Sequence, residues 1–550
     1  MDQAFWKGFL NPPAGYTQAP FWFLNDKVEG EIYCRQIDEM ADKGVRAAMP
    51  HPRFGMDRRD YLTEPYFEAF GQLLDHAREK DFTIHLYDEY NWSSGNAGAR
   101  LTARRDYCAL GICAKIQRVQ GPAQVRFSDW EKGLRGWAER EEMLLVGCAL
   151  ALGEHAIDET RAQTLKFENQ QGTLVTEVPE GDFYVYAIYT VRTRHPSPLR
   201  QGNGGIVNYL NKDATRAFIE LTHEQYYARF SEHFGSTIPS VFYDEAGAYA
   251  AGNFSWIEDF DQRFYEEKGY SLIPLLPLLF LDGSKRTPKV RCDYWDVLSR
   301  TYCENFLGQL RAWCQEHKVA LTGHGHEDSV LWQMNGHLLR ALRKQHWVGL
   351  DSLGGYKRYS ALKSAVSAAH ISGSKVVLCE ALGLLGGWDC SPRMLKKAYN
   401  QLAIAGVNLL VPHAFFQSVD NPKVECPPSF FENNPYWRYY REIARLTDLQ
   451  CYVNRQGRHV AEAAVFYPVV SWWAASRDGR GRAFPWSLEW EGAREQGRMA
   501  WMNEAQAFDR TVDELMAQHI DLDILDDQAL NEAQIRSGRL CLGEEDYRCL

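Results

Sequence analysis

The 550-residue chain is short of what several protein classes require. It has no basic run, and 61 Lys and Arg stand against 72 Asp and Glu for a net charge of −11. Nothing is there to neutralise a phosphate backbone, which argues against nucleic acid as a partner. No stretch reaches the ~18 consecutive apolar residues of a membrane span; the longest candidate, 272–281, is interrupted by Pro274 and Pro277. The first residues show neither the basic and apolar regions nor the cleavage site of a secretory signal. The 13 cysteines are odd in number, scattered and without a CxxC pair, against both a disulfide framework and a zinc ribbon. Together these absences predict a soluble, cytoplasmic protein with reduced thiols and no membrane partner. What is abundant is apolar and aromatic: 45% of residues are hydrophobic, enough for a large core, and 13% are Phe, Trp or Tyr, a surplus for which carbohydrate clefts are one common use.

Along the chain a short apolar run followed by a segment of helical spacing recurs. The runs are 19–24, 45–49, 82–87, 241–243, 319–322, 347–350, 375–378 and 408–411, with helices between them near 31–43, 65–80, 213–234 and 294–317. Their nearly unbroken apolar character suits parallel strands covered on both faces. Eight such units describe a (β/α)₈ TIM barrel. Residues 120–200 interrupt it with alternating strands such as Phe183 to Val191, read as an inserted β-rich module. The expected division is therefore a first barrel part over 1–119, the insertion over 120–200, the rest of the barrel over 201–455, and a C-terminal α/β domain over 456–550 that opens with the strand 460–468. That last domain looks incomplete for a sheet of ordinary size.

Barrel enzymes place their chemistry at the C-terminal ends of the strands. Here those ends are polar: His51 and Arg53 after strand two, Asp88 and Glu89 after three, Asp244 and Glu245 after four, His324, His326 and Glu327 after five, Asp351 after six, Glu380 after seven and His413 after eight. Carboxyls on strands four and seven can face one another across a barrel mouth. Cleaving a glycosidic bond needs one protonated carboxyl for the leaving oxygen and one ionised carboxylate for water or direct attack. Glu245 and Glu380 are the candidates, with Asp88, Glu89, Asp244, His326, Asp351, His51, Arg53 and His413 as substrate contacts. Trp92 and Trp388 are candidates to stack on a sugar ring. The 88–98 stretch, with two acids, two aromatics, Gly95 and Gly98, has the composition of a tight loop close to a ligand. His324 and His326 share a face on a regular strand, but no third ligand stands at a zinc spacing, so hydrogen-bonded rim histidines are the simpler reading. The oxygen donors Asp88, Glu89, Asp244, Glu327 and Asp351 are numerous enough for calcium, and the ligand set stays open.

The segments APFWFLND, QIDEMADKGVRAAMPHPRFG, YDEYNWSSGNAG, FYDEAG, TGHGHED, VVLCEALG and VNLLVPHAFF together resemble glycoside hydrolase family 106, the α-L-rhamnosidase-type barrel enzymes, over about residues 15–450. Material beyond Val460 is similar to the flavodoxin-like domain that follows the barrel in several glycosidases. The resemblance implies removal of a terminal sugar such as α-L-rhamnose from an oligosaccharide or glycoside, inverting hydrolysis assisted by calcium, and glutamates as acid and base. These map onto Glu245 and Glu380, with Glu327 as a further candidate. Ser93 stands where the family loop usually has Pro. Two other readings remain: a carbohydrate-binding protein that keeps the cleft without turnover, and a lyase or isomerase acting on a sugar. The oligomeric state is not written in the sequence.

Overall fold

The computed structural model describes residues 3–130, 138–193, 206–247, 253–325, 335–352, 358–383, 385, 387–420, 429–476 and 501–550. Its centre is a closed ring of parallel strands: β1 (Phe21–Leu24), β2 (Ala47–Pro52), β3 (Thr83–Ile84, resuming as Leu86–Tyr87 after His85), β4 (Ser240–Tyr243), β5 (Ala320–Gly323), β6 (Val348–Ser352), β7 (Val377–Ala381) and β8 (Leu409–Pro412, resuming as Phe415–Phe416). β8 returns to β1 through Trp22 opposite Phe415 and Phe23 opposite Phe416, which closes the barrel. Side chains alternate across each strand. Phe21, Phe23, Ala47, Met49, Phe242, Leu378, Leu409 and Val411 fill the barrel interior. Trp22, Leu24, Ala48, Val241, Leu321, Val348, Val377 and Leu410 pack outward into the helical shell.

The shell follows from helical periodicity. Gly30–Asp42 buries Tyr33, Ile37 and Met40 on one stripe. It ends where Gly44 takes φ 84, a left-handed turn that a Cβ would strain. The single helix expected over 213–234 is broken at Thr222 (φ −120, ψ −77) into Lys212–Leu221 and His223–Phe230. The Phe218 carbonyl accepts both the Thr222 N–H at 3.0 Å and Thr222 Oγ1 at 2.8 Å.

The seam between β5 and β6 is the thinnest. The His346 and Trp347 N–H groups both donate to the Leu321 carbonyl, and the Leu321 N–H donates to His346 Nδ1 at 2.9 Å. Gln345 bridges the rest: its Nε2 donates to the Gly323 carbonyl at 2.8 Å and its Oε1 accepts the Gly349 N–H at 2.7 Å. A Cβ on Gly349 would lie 2.3 Å from the Gly323 carbonyl oxygen, so backbone must move to admit one. Gly349→Ala is therefore expected to destabilise the protein by about 1–3 kcal/mol, as overpacked cores do. Urea denaturation measures it, and an unchanged midpoint would remove the close approach as a constraint.

The β-rich insertion starts at Leu110 rather than near residue 120 and runs to Thr193. Its long strands Leu110–Phe127, Ala138–Gly153 and Thr173–Thr193 pair antiparallel around a small core that includes Val125, Trp130, Val185 and Tyr189. Phe254–Trp256, which follows β4, joins this sheet beside Leu110–Ile112, so the module is stitched to the mouth side of the barrel. At the C-terminal end of the chain, Ala463–Phe466 pairs parallel with Leu522–Leu525, and a three-stranded antiparallel sheet follows over 534–547. Tyr467, Trp472, Phe508, Leu522 and Ile524 share one continuous core with the barrel helices, so this unit is docked on the barrel rather than packed around a core wholly its own. The described cysteines are not paired with one another.

Candidate active site

Strand alternation decides what reaches the barrel axis. Extending the inward set past each strand end, two residues at a time, leads from Met49 to His51 and Arg53, from Phe242 to Asp244, from Thr322 to His324, from Leu378 to Glu380 and from Val411 to His413. Asp351 lies opposite Glu380 in the β6–β7 register. The structure brings Asp244, His324 and Glu380 together with donor atoms within 4.8 Å of one another. His324 was expected only as a rim histidine; it stands at the centre.

His324 Nδ1 lies 3.0 Å from the carbonyl oxygen of Gly325, which can only accept, so Nδ1 carries a hydrogen. Nε2 then faces Glu380 Oε2 at 2.6 Å and Asp244 Oδ1 at 3.5 Å. A contact that short between a ring nitrogen and a carboxyl requires one proton between them, on either side. Burial pushes the Glu380 carboxyl up to about 8; His324 opposes the rise, and the charges of Asp351 and Asp244 add to it. Asp244 is pushed up to about 6, again by burial first, with His324 opposing and Glu245 reinforcing. The Tyr87 hydroxyl lies 2.6 Å from Asp244 Oδ2 and 2.8 Å from the carbonyl of Asn91. A phenol has one proton, so both contacts are hydrogen bonds when Asp244 is itself protonated and donates to Tyr87.

The histidines of β2 and β8 frame this group. His51 stacks on Tyr87 with centroids 3.6 Å apart, and both His51 and His413 are fully buried beside Arg53. Burial first and the Arg53 charge second hold both imidazoles well below their ordinary range, so both are neutral. The Arg53 guanidinium is sandwiched between Phe23 (4.1 Å) and Trp92 (4.4 Å). Thr322 Oγ1 and His413 Nδ1 are buried without a hydrogen-bond partner among the described residues. Trp388 is 54% exposed on the short turn after β7, its ring open to solvent. A hollow of about 460 Å³ beside the mouth is lined by Phe54, Met56, Asp57, Arg58, Arg59 and Tyr90.

Two expected substrate contacts, Glu89 and Asp88, need correction, and Glu245 sits at the rim rather than on the axis. Glu89 is not a substrate contact: its two oxygens accept the backbone N–H groups of Tyr90 (2.8 Å), Asn96 (2.6 Å), Ala97 (2.8 Å) and Gly98 (2.6 Å), which winds the 90–98 loop around the carboxylate. Asp88 has the outward parity. Its Oδ1 accepts from Ser94 Oγ, and Oδ2 lies 3.8 Å from buried His223 Nε2, away from the mouth. Glu245 also has the outward parity, and the chain turns sharply there at φ 44. It is half-buried at the rim, close enough to act electrostatically on Asp244 and His413, while Asp244 takes the inward position beside His324. His326 and Glu327 lie outside the described residues.

Calcium takes six to eight oxygen ligands. Among the described residues Asp244, His324 and Glu380 bring their donor atoms together with Asp351 opposite Glu380, while the oxygens of Glu89 are occupied by backbone N–H groups and Glu327 lies outside the described residues.

The model of the glycoside hydrolase 106 family, described as alpha-L-rhamnosidase, matches residues 126–474, more than half of the sequence. The chain belongs to glycoside hydrolase family 106. The family member is 23% identical over 315 residues, 54% of its length, to the "Putative beta-glucuronidase" of Formosa agariphila; the match takes in 26% of that protein, so the chain spans about a quarter of this curated relative. Its fold is similar to that of a rhamnosidase from Novosphingobium sp. PP1Y, with a TM-score of 0.67 at 13% identity, covering 100% of this chain and 67% of that one. It is also similar to the beta-galactosidase of the psychrophilic Marinomonas ef1, with a TM-score of 0.51 at 10% identity over 95% of this chain and 73% of that one. These likenesses identify an α/β barrel of the glycoside hydrolase type. Among the described residues, no helix is long and apolar enough to cross a membrane.

Proposed function

We propose that this glycoside hydrolase removes a terminal α-L-rhamnose, or a closely related sugar, from an oligosaccharide or glycoside. Glu380 gives a proton to the leaving oxygen, and Glu245 activates a water on the other face of the ring, so that the anomeric configuration inverts. The observation that carries this reading is the 2.6 Å contact between Glu380 Oε2 and His324 Nε2, a separation that calls for one proton between them. A glycosidic oxygen leaves as an alkoxide unless it is protonated, and a carboxyl still holding its proton at neutral pH supplies what that departure needs. His324 orients Glu380, Tyr87 and Asp244 hold the opposite side, and Trp388 offers an exposed ring face to the sugar. Half-buried Glu245 keeps the solvent access that a base for water requires.

A panel of nitrophenyl glycosides tests the reading. The α-L-rhamnoside is expected to be cleaved, and proton NMR in the first minutes is expected to show the inverted anomer. A product mass without added water indicates a lyase or isomerase, and saturable binding with no product indicates a sugar-binding protein; either result overturns the hydrolase. A second substrate is favoured by Arg53 and by the name of the Formosa agariphila relative: a β-glucuronide, whose carboxylate the guanidinium would meet. Faster cleavage of the glucuronide than of the rhamnoside selects it.

The pH dependence has a definite sign. The Glu380 carboxyl is raised, so its proton is present below about 8 and lost above it. Turnover through this acid is expected to fall as pH rises through that value, read as the alkaline limb of kcat/KM. A rate that stays flat past this pH removes Glu380 as the acid.

A further inference from the structure

The polar groups of the mouth divide in two. Asp244, His324 and Glu380 answer one another's donors and acceptors. His51 and Asn91, on the β2 and β3 side, do not. Both are fully buried, and both ring nitrogens of His51 and the Nδ2 of Asn91 lack a hydrogen-bond partner among the described residues. Burying a donor or acceptor unpaired is costly, so such atoms mark a place that a ligand or a water completes.

Both side chains are held in place. The His51 imidazole lies flat on Tyr87, with centroids 3.6 Å apart and planes 17° from parallel, which fixes the edge where its nitrogens stand. Burial first and the Arg53 charge second keep it neutral, with one N–H to give and one lone pair to accept. Asn91 is committed everywhere except at Nδ2. Its N–H donates to the Pro52 carbonyl at 2.8 Å, its carbonyl accepts the Tyr87 hydroxyl at 2.8 Å, and its Oδ1 accepts the Phe54 N–H at 3.1 Å. The bond from Phe54 also settles which end of the amide is nitrogen. The Tyr87 hydroxyl touches both Asn91 and Asp244, so this pair borders the same opening as the acids.

We infer that His51 and Asn91 grip the 3- and 4-hydroxyls of the terminal sugar. This rests on the proposed reading in which the anomeric carbon meets Glu380. In a closed ring of eight strands, β2 and β3 stand across from β6 and β7, where Glu380 sits. A pyranose with C1 at Glu380 therefore turns its C3–C4 edge toward β2 and β3. A sugar hydroxyl both gives and accepts hydrogen bonds. His51 offers a donor and an acceptor to two neighbouring hydroxyls, and Asn91 adds a donor. Neither side chain is charged, so the pair reads hydroxyls and leaves a carboxylate to Arg53. An α-L-rhamnoside and a β-glucuronide both carry these two hydroxyls trans to one another, so the pair serves either sugar.

Ligand-observed NMR titration of the full chain with L-rhamnose, D-glucuronate and their 2-, 3- and 4-deoxy forms tests the pair. The 3-deoxy and 4-deoxy forms are expected to bind about tenfold or more weakly than the parent sugar, because buried donors and acceptors are left unmet. The 2-deoxy form is expected to keep its affinity. His51→Phe keeps the stack on Tyr87 and removes both nitrogens, and Asn91→Asp keeps the Phe54 bond and removes the donor. Each is expected to weaken the parent sugar by a similar factor and to make one hydroxyl deletion cost nothing further, a coupling that a merely structural role does not produce. If a variant fails to fold, the deoxy series on the wild type decides. Equal affinity of all deoxy forms, a loss confined to the 2-deoxy form, or deletions that cost as much in the variants as in the wild type overturn the pair and leave these atoms to water. Failure of both parent sugars to bind overturns it too. Cleavage of the nitrophenyl rhamnoside with KM unchanged in both variants overturns the pair and keeps the hydrolase. Sugar binding that needs His51, without any cleavage, keeps the pair and overturns the hydrolase.

Discussion

Glu380→Gln is expected to lower turnover by about 10²–10⁴, the range for a lost general acid, with the larger loss on an alkyl glycoside than on a nitrophenyl one. The amide keeps the shape of the carboxyl and can still hydrogen-bond to His324 Nε2, so the fold and KM should change little; what disappears is a transferable proton. Nitrophenolate leaves readily without help, so its cleavage depends less on the acid, whereas an alkoxide cannot leave unprotonated. The difference between the two substrates separates a lost acid from a disturbed pocket, which would slow both alike. Glu245→Gln, on the reading that it serves as the base, should slow both substrates by similar factors. Near-wild-type rates in both variants would remove the carboxyl pair from the mechanism.

Glu89→Ala is expected to cost about 3–5 kcal/mol of stability and to abolish activity at assay temperature, although Glu89 touches no substrate in this reading. The carboxylate is buried and accepts four backbone N–H groups. Removing it strands those donors, each costing about 1–3 kcal/mol where water cannot reach. The loop it gathers holds Asn91 and Ala97 at positive φ and carries Trp92 over Arg53. That loop also supplies Ser94, which donates to Asp88 and whose Oγ accepts the Asp244 N–H at 2.8 Å. Loss of Glu89 therefore propagates to Asp244. Urea denaturation and nitrophenyl glycoside turnover measure the two effects; a loss below about 1 kcal/mol would show that water or relaxation replaces the carboxylate.

Much of the site could be read from residue order. The polar ends of β2 and β4 to β8 follow apolar runs that the pattern marks as strands, and alternation within those runs separates inward His51, Asp244, His324 and Glu380 from outward Asp88 and Glu245. The alternation sets Asp244 beside His324 and leaves Glu245 half-buried at the rim, one position further on. Glu89 was misread because a carboxylate two residues past a strand looks equally like a ligand-binding group and a loop organiser until its backbone partners are known. The break at Thr222, which sets His223 behind Asp88, lies in the dihedral angles of one residue, and no periodicity reports that.

Residue order by itself determined the βα repeat, its eight staves, the inserted sheet and the acidic character of the mouth, because each rests on local periodicity and on the separation of apolar from polar side chains. Only the tertiary structure decided which acid shares its proton with His324, that Gln345 bridges the β5–β6 seam, and that Asp244, His324 and Glu380 meet at the barrel mouth. Those outcomes turn on distances of a few tenths of an ångström between groups far apart along the chain, and no local rule of spacing encodes them.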